Sequence, residues 1–344
     1  MKKYLYFVTK PYSIPIIKPI FETVEKFQKG ENLIFAFDYI LQWMPEKMKR
    51  FSTASLQEVI DYKPDIVFVP GNVIHDKIPG VKVQIFHGLC EEKKGHYKIT
   101  GFFDIYCTSG PLITRKFKKL EEKYGHFIVV ETGWPKVDYI LGYDVGETGY
   151  PVANISKGKK IILYAPTFSP RFKSTHKLLP YLKDILRDDE VLIVKFHDLA
   201  DKKEVELYKK LNNIIVYDSP DNVPLLHMAD ILISDTSSIV YEFMLLDKPV
   251  ITIDARVRKE KALNIVDPLE LRSAIDRAFK FPQEHSSKRR EVLQLIHPYR
   301  DKLCSLRVLD AVDKIIESGA LESLKRKPSN LIRAYKVRKM FRYW

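Results

Sequence analysis

A chain of 344 residues, 45% hydrophobic and 29% charged, is too long for one ordinary core and suits two domains of about 150 residues each. No apolar run approaches the ~18 residues of a membrane-spanning helix, and Cys90, Cys107 and Cys304 form neither a CxxC pair nor a zinc-type cluster, which fits a reduced compartment. The net charge of +13 is local: residues 325–344 hold eight Lys and Arg and no acid, and setting those eight aside leaves +5.

In chain order, the run Tyr4–Val8 is cut short by Lys10 and Pro11 and reads as a first β-strand rather than a signal peptide. Further strands are expected at Leu33–Phe37, Ile66–Val69, Val81–Phe86, Ile105–Thr108 and Ile128–Glu131. Helical patterns lie between them, among them Ser55–Tyr62, capped by Ser52 or Thr53, and Leu112–Tyr124. Residues 142–158 are glycine-rich and aperiodic, as a linker is. Alternation then restarts with strands at Lys160–Ala165, Val191–Phe196, Ile214–Tyr217, Ile231–Ser234 and Val250–Ile253. The helices expected here are Lys177–Leu186, Lys202–Leu211, Val223–Met228, Ser238–Leu246, Pro268–Lys280 and Tyr299–Glu317. This grammar predicts an α/β chain of two Rossmann-like domains, 1–145 and 158–318, facing a cleft, followed by a basic tail over 319–344.

Ligands of open α/β sheets gather just beyond the carboxyl ends of the strands, and those positions are chemically rich here. Ser234-Asp235-Thr236-Ser237-Ser238 follows a buried strand and opens a helix, so hydroxyls and backbone N–H groups are available to a phosphate. N-capping alone needs one such residue; Asp235 to Ser238 are four polar residues together. Lys195 and His197 are two apart on an extended strand and point the same way, which suits a diphosphate. His87 stands at a strand end, where an imidazole can take a proton from a hydroxyl, and Gly88 permits close backbone approach. A capped turn is the plain alternative for that pair, and a solvated loop the better reading of Glu91 and Glu92. Thr167 and Arg171 follow the strand Lys160–Ala165, whereas a tight turn accounts for Gly133-Trp134-Pro135. Walker A, GxGxxG, HExxH and GxSxG patterns are missing from the sequence. No carboxylate cluster compels a metal.

Taken in order, these runs resemble the CDP-glycerol:poly(glycerophosphate) glycerophosphotransferase family. The resemblance rests on Phe86-His87-Gly88, on Gly133-Trp-Pro-Lys-Val-Asp138, and on Tyr164-Ala-Pro-Thr167. Lys195-Phe-His197, Ser234-Asp-Thr-Ser-Ser238 and Leu246-Asp-Lys-Pro249 complete it. It implies the glycosyltransferase-B (GT-B) fold and transfer of glycerol phosphate from CDP-glycerol to a hydroxyl of a lipid-linked acceptor. Under it His87 is the base, and His197 with Ser237 and Ser238 holds the donor diphosphate. Lys195, Thr167, Arg171, Asp235, Thr236 and Glu242 complete the donor set, while Gly88 and Gly133 admit backbone to the ligand. The resemblance names CDP-glycerol as donor substrate and fixes no cofactor, with Mg²⁺ compatible with the donor diphosphate. The continuation Leu89-Cys-Glu-Glu departs from the family pattern and leaves the acceptor open. His297-Pro-Tyr-Arg-Asp301 resembles the closing segment of UDP-GlcNAc 2-epimerases, so an epimerase or UDP-sugar glycosyltransferase is the second reading.

The tail is expected to form a helix over Leu331–Trp344 that lies on an anionic membrane surface from the cytoplasmic side. A disordered end and a helix packed across the N-terminal domain are the alternatives. Removing residues 325–344 is expected to weaken vesicle binding and spare the fold. No nucleic-acid-binding motif accompanies the charge.

Overall fold

The computed structural model describes residues 1–90, 92, 94–145 and 158–343, and it divides the chain into two units. The first holds Met1–His87, Lys94–Tyr139 and all from Ile296 onward; the second holds Gly88–Lys93 and Ile140–Leu295. Both are parallel α/β sheets.

In the first unit the strands are β1 (Lys2–Val8), β2 (Gly30–Ala36), β3 (Ser52–Thr53), β4 (Ile66–Val69), β5 (Val81–Gln84), β6 (Ile105–Thr108) and β7 (Ile128–Glu131). Their order is β3-β2-β1-β4-β5-β6-β7, so the winding reverses between β1 and β4. Tyr4 to Val8 and all of β4 are buried, as parallel strands covered on both faces must be. In the second unit they are β8 (Lys160–Ala165), β9 (Glu190–Val194), β10 (Ile214–Val216), β11 (Ile231–Ser234), β12 (Val250–Ile253) and β13 (Leu263–Ile265). The order β10-β9-β8-β11-β12-β13 reverses between β8 and β11. Reversal points are where a crevice opens at the strand ends.

Local departures from expectation have local causes. The expected helix at 177–186 is instead Thr175–Leu178 followed by a 3-10 turn, Leu179–Tyr181, because Pro180 brings no N–H to an α-helical ladder. Ser55, not Ser52 or Thr53, caps the helix Leu56–Tyr62, accepting from the Glu58 N–H at 3.2 Å; Ser52 and Thr53 form β3. The helix Ile14–Lys26 was hidden by its prolines at 15 and 19. Of the expected linker, residues 146–157 lie outside the described residues.

The expected boundary at 318 and the separate tail are corrected. The chain returns to the first unit at Ile296, and the helix Cys304–Glu317 starts where Asp138 accepts from the N–H groups of Cys304 (2.9 Å) and Ser305 (2.7 Å). The terminal helix Leu331–Phe341 then packs on the first unit's core. Phe341 lies against the rings of Phe7, Phe35 and Phe37 at 5.5, 5.7 and 5.1 Å, and Arg338 pairs with Asp76 at 2.5 Å. His75, fully buried, bonds the Tyr343 carbonyl at 3.2 Å. The β4–β5 connection contains no helix, and Phe341 of the terminal helix packs against the cluster that holds Val67, Val69, Ile74 and Ile78. The segment is part of the fold, so its removal exposes a core.

Candidate functional site

In the second unit three neighbouring strands deliver the residues singled out from the sequence. Thr167 follows β8, Lys195 and His197 follow β9, and Asp235 to Ser238 follow β11, on the two sides of the reversal point. Asp235 is buried, and its carboxylate accepts from the Thr167 N–H (2.8 Å), the Ser174 N–H (3.0 Å) and the Ser174 hydroxyl (2.9 Å). Three donors on one anion hold residues 167–174 against the end of β11, so Asp235 shapes the loop that carries Thr167. Ser234 adds a bond from its hydroxyl to the Ala165 carbonyl at 2.6 Å.

His197 is fixed through its ring. The Leu199 N–H donates to Nδ1 at 3.1 Å, which puts the neutral imidazole's proton on Nε2 and makes that atom a donor. The Phe168 ring lies 4.4 Å away, a contact unforeseen from sequence. Lys195 donates to the Phe196 carbonyl at 2.8 Å and stands 3.8 Å from Asp198. Arg171 is exposed, its guanidinium 5.5 Å from the Phe172 ring, and Glu242 is buried with Oε2 accepting from the Asn222 amide at 3.1 Å. Asp235 and Glu242 thus keep the scaffold in shape, while Thr167, Lys195, His197, Thr236 and Ser237 stand at the strand ends themselves.

Gly88–Lys93 belongs to this unit, and its contacts there were not legible in the sequence. Ser238 Oγ accepts from the Cys90 N–H at 3.1 Å, and a Cβ on Gly88 would lie 2.5 Å from that oxygen, so only glycine fits. Glu92, expected in a solvated loop, accepts at 2.7 Å from both the Tyr241 hydroxyl and Arg258. Burial and the neighbouring Glu92 carboxylate push the Tyr241 hydroxyl well above its usual range. Glu91 and Lys93 lie outside the described residues.

In the first unit His87 is exposed just past β5, with the rings of Tyr12 and His96 at 5.9 and 6.4 Å. The residue before it is the unusual one. Phe86 has φ of 57°, a left-handed conformation that costs a bulky residue about 1–2 kcal/mol. Its ring is buried and stacked on His96 at 4.9 Å, and its carbonyl accepts from the Trp134 indole N–H at 3.1 Å. Gly133, at φ of 80°, leaves no room for a Cβ, which would lie 2.6 Å from Cys304 Sγ and 3.2 Å from His297 Nε2. The glycine therefore admits this chain's own side chains rather than a ligand. Among the described residues no cluster of three His, Cys, Asp or Glu is arranged to hold a metal ion.

Two parallel-sheet units with polar strand ends at a reversal point define an α/β protein of the GT-B kind. The solved wall teichoic acid polymerase TagF superposes with a TM-score of 0.68 at 18% identity, over 92% of this chain and 89% of that one. A putative UDP-N-acetylglucosamine 2-epimerase from Listeria monocytogenes gives 0.64 at 15%, over 92% and 98%. At such identities both report fold alone. The sequence separates them. Residues 90–259 match the family model for CDP-glycerol:poly(glycerophosphate) glycerophosphotransferase. The teichoic acid glycerol-phosphate primase of Bacillus subtilis strain 168 is 35% identical over 114 residues, which are 30% of this chain and 28% of that protein. The chain spans only about a quarter to a third of the curated relatives it matches.

Proposed function

We propose that this chain transfers glycerol phosphate, or a related polyol phosphate, from a CDP-linked donor to a hydroxyl of a lipid-linked acceptor in cell-envelope polymer synthesis. The supporting observation is the gathering of Thr167, Lys195, His197, Thr236 and Ser237 at adjacent strand ends of one sheet, inside the segment that matches the family. In this reading the donor's diphosphate oxygens accept from His197 Nε2–H, from the hydroxyls and from Lys195. His87 takes the proton of the acceptor hydroxyl, whose oxygen attacks the distal phosphorus; the bond to CMP breaks and CMP leaves with its electron pair. Such a reaction is carried mainly by positioning and charge stabilisation. Any Mg²⁺ enters with the diphosphate.

A thermal-shift panel of CDP-glycerol, CDP-ribitol, CMP, CDP, UDP-GlcNAc and UDP tests the donor, since a ligand of the folded state raises the melting temperature. Stabilisation by cytidine ligands alone supports the reading. Preference for uridine ligands moves the chain to the epimerase or glycosyltransferase class.

A lipid-linked acceptor places the chain on the cytoplasmic side of an anionic membrane, and the terminal helix offers the surface. Ala334, Val337 and Phe341 face the core, whereas Leu331, Ile332, Tyr335 and Met340 are 75, 76, 56 and 58% exposed beside Lys336, Lys339 and Arg342. The membrane face is thus the outward one, each basic side chain adding on the order of 1 kcal/mol at an anionic surface. Among the described residues no helix is long and apolar enough to cross a membrane. Co-sedimentation with phosphatidylglycerol vesicles should fall when Ile332, Tyr335 and Met340 become Ser; unchanged binding removes this surface from the proposal.

A further inference from the structure

The motif Gly133-Trp134-Pro135 is explained as a turn by its Gly and Pro, but nothing in a turn requires tryptophan. Trp134 is 2% exposed, and its two N–H groups are both used. The backbone N–H donates to His297 Nε2 at 2.8 Å, and the indole N–H donates to the Phe86 carbonyl at 3.1 Å. Phe86 is the left-handed residue that separates β5 from His87, with φ of 57°. A left-handed residue breaks the extended course of the strand, so the chain turns at Phe86. Here Phe86 turns inward against His96 and Phe117, at 4.9 and 5.0 Å, and His87 is turned outward. A phenylalanine holds that conformation only where its surroundings over-determine it.

We infer that Trp134 is a positioning residue for His87, fixing the Phe86 carbonyl so that the strained turn presents the imidazole outward. The indole N–H, rather than the bulk of the ring, is the working part. Its own position is set by Gly133, whose missing Cβ lets the turn close on Cys304 and His297. The inference rests on the reading of His87 as the base, and it assigns work to a motif that the donor site does not use.

Trp134→Phe keeps most of the ring and removes the N–H. With CDP-glycerol and an acceptor, its kcat should fall on the order of tenfold to a hundredfold, as misplacement of a reacting group does, with donor affinity unchanged. The melting temperature falls as well, because a buried carbonyl loses its donor, so the double variant and the His87 resonance carry the test. In a His87→Ala background the same substitution should cost nothing further, because a residue acting through His87 has nothing left to position. An additive loss in the double variant overturns the inference. If His87→Ala keeps full turnover, the base reading itself fails; if His87→Ala is impaired while Trp134→Phe is not, only the positioning role fails. A substrate-free arm decides independently of turnover. With histidine side chains labelled with ¹³C, Trp134→Phe should shift the His87 resonance and leave that of His197 in place. A stationary His87 resonance overturns the inference.

Discussion

His87 and His197 both stand just past an interior strand of a parallel sheet, and they are placed in opposite ways. His197 is held by its ring: a backbone N–H occupies Nδ1, Phe168 lies beside it, and the proton is left on Nε2. His87 is aimed from behind, by a left-handed Phe86 whose carbonyl is pinned by Trp134. A fixed tautomer suits a group that donates to phosphate oxygen throughout a reaction. Placement through the backbone suits a group whose ring must gain and lose a proton. The two histidines therefore differ in how they are held, although sequence presents them alike, and the proposed roles of base and diphosphate donor follow that difference.

That contrast predicts different losses. His87→Ala should lower turnover by about 10²–10⁴-fold, the usual worth of a general base, with CDP-glycerol affinity preserved by calorimetry. If His197 donates to the diphosphate as proposed, His197→Ala removes a hydrogen bond to a charged group, worth about 1.5–3 kcal/mol, and the same calorimetry should show donor affinity falling on the order of ten- to a hundredfold. Loss of affinity in the His87 variant and not in the His197 variant would reverse the assignment.

A smaller effect follows from where the first unit gets its last helix. Phe341 meets Phe7, Phe35, Phe37 and His75. Phe341→Ala should destabilise the protein by about 2–3 kcal/mol, below the usual range for a fully buried Phe because this ring is only partly buried. Thermal unfolding followed by tryptophan fluorescence reads it selectively, since Trp43 and Trp134 lie in the first unit and the second has no tryptophan. An unchanged transition would mean that the terminal helix is not part of that core.

Strands were legible because the strands of a covered parallel sheet are written as short apolar runs. Ile66–Val69, Ile105–Thr108, Ile128–Glu131, Lys160–Ala165, Ile231–Ser234 and Val250–Ile253 coincide with the expected spans. The edge strands β3 and β13 were not, being two and three residues long with too little pattern to read. Strand-end chemistry was legible as residue type but not as role. Asp235 and Glu242 look like ligand-binding acids in sequence, and only their partners reveal that they brace the scaffold. Trp134 was read past because its carbonyl partner is 48 residues away, and a backbone acceptor leaves no mark in a sequence. The tail's composition suited a membrane helix, and half of that pattern was core: Val337 and Phe341 complete the first unit, an assignment that needs the packing of the helix to be seen.

Acid should loosen the two placements unequally. Burial lowers His297 from 6.5 to about 4 and also lowers His75 and His126, all in the first unit; in the second, burial lowers His227. The unfolded chain takes up a proton near pH 6.5 that the folded His297 refuses until about pH 4. Stability from this source is complete above the unfolded pKa and is lost as pH falls, by up to about 1.4 kcal/mol per pH unit for His297, with His75, His126 and His227 acting in the same direction. His297 also accepts the Trp134 backbone N–H through Nε2, a bond that cannot survive protonation of that atom. Between about pH 6.5 and 4 the melting temperature read by tryptophan fluorescence should therefore fall more steeply than the one read by far-UV circular dichroism, which averages both units. Parallel slopes would mean that the first unit's buried histidines do not set its acid stability, and the placement of His87 would then owe nothing to His297.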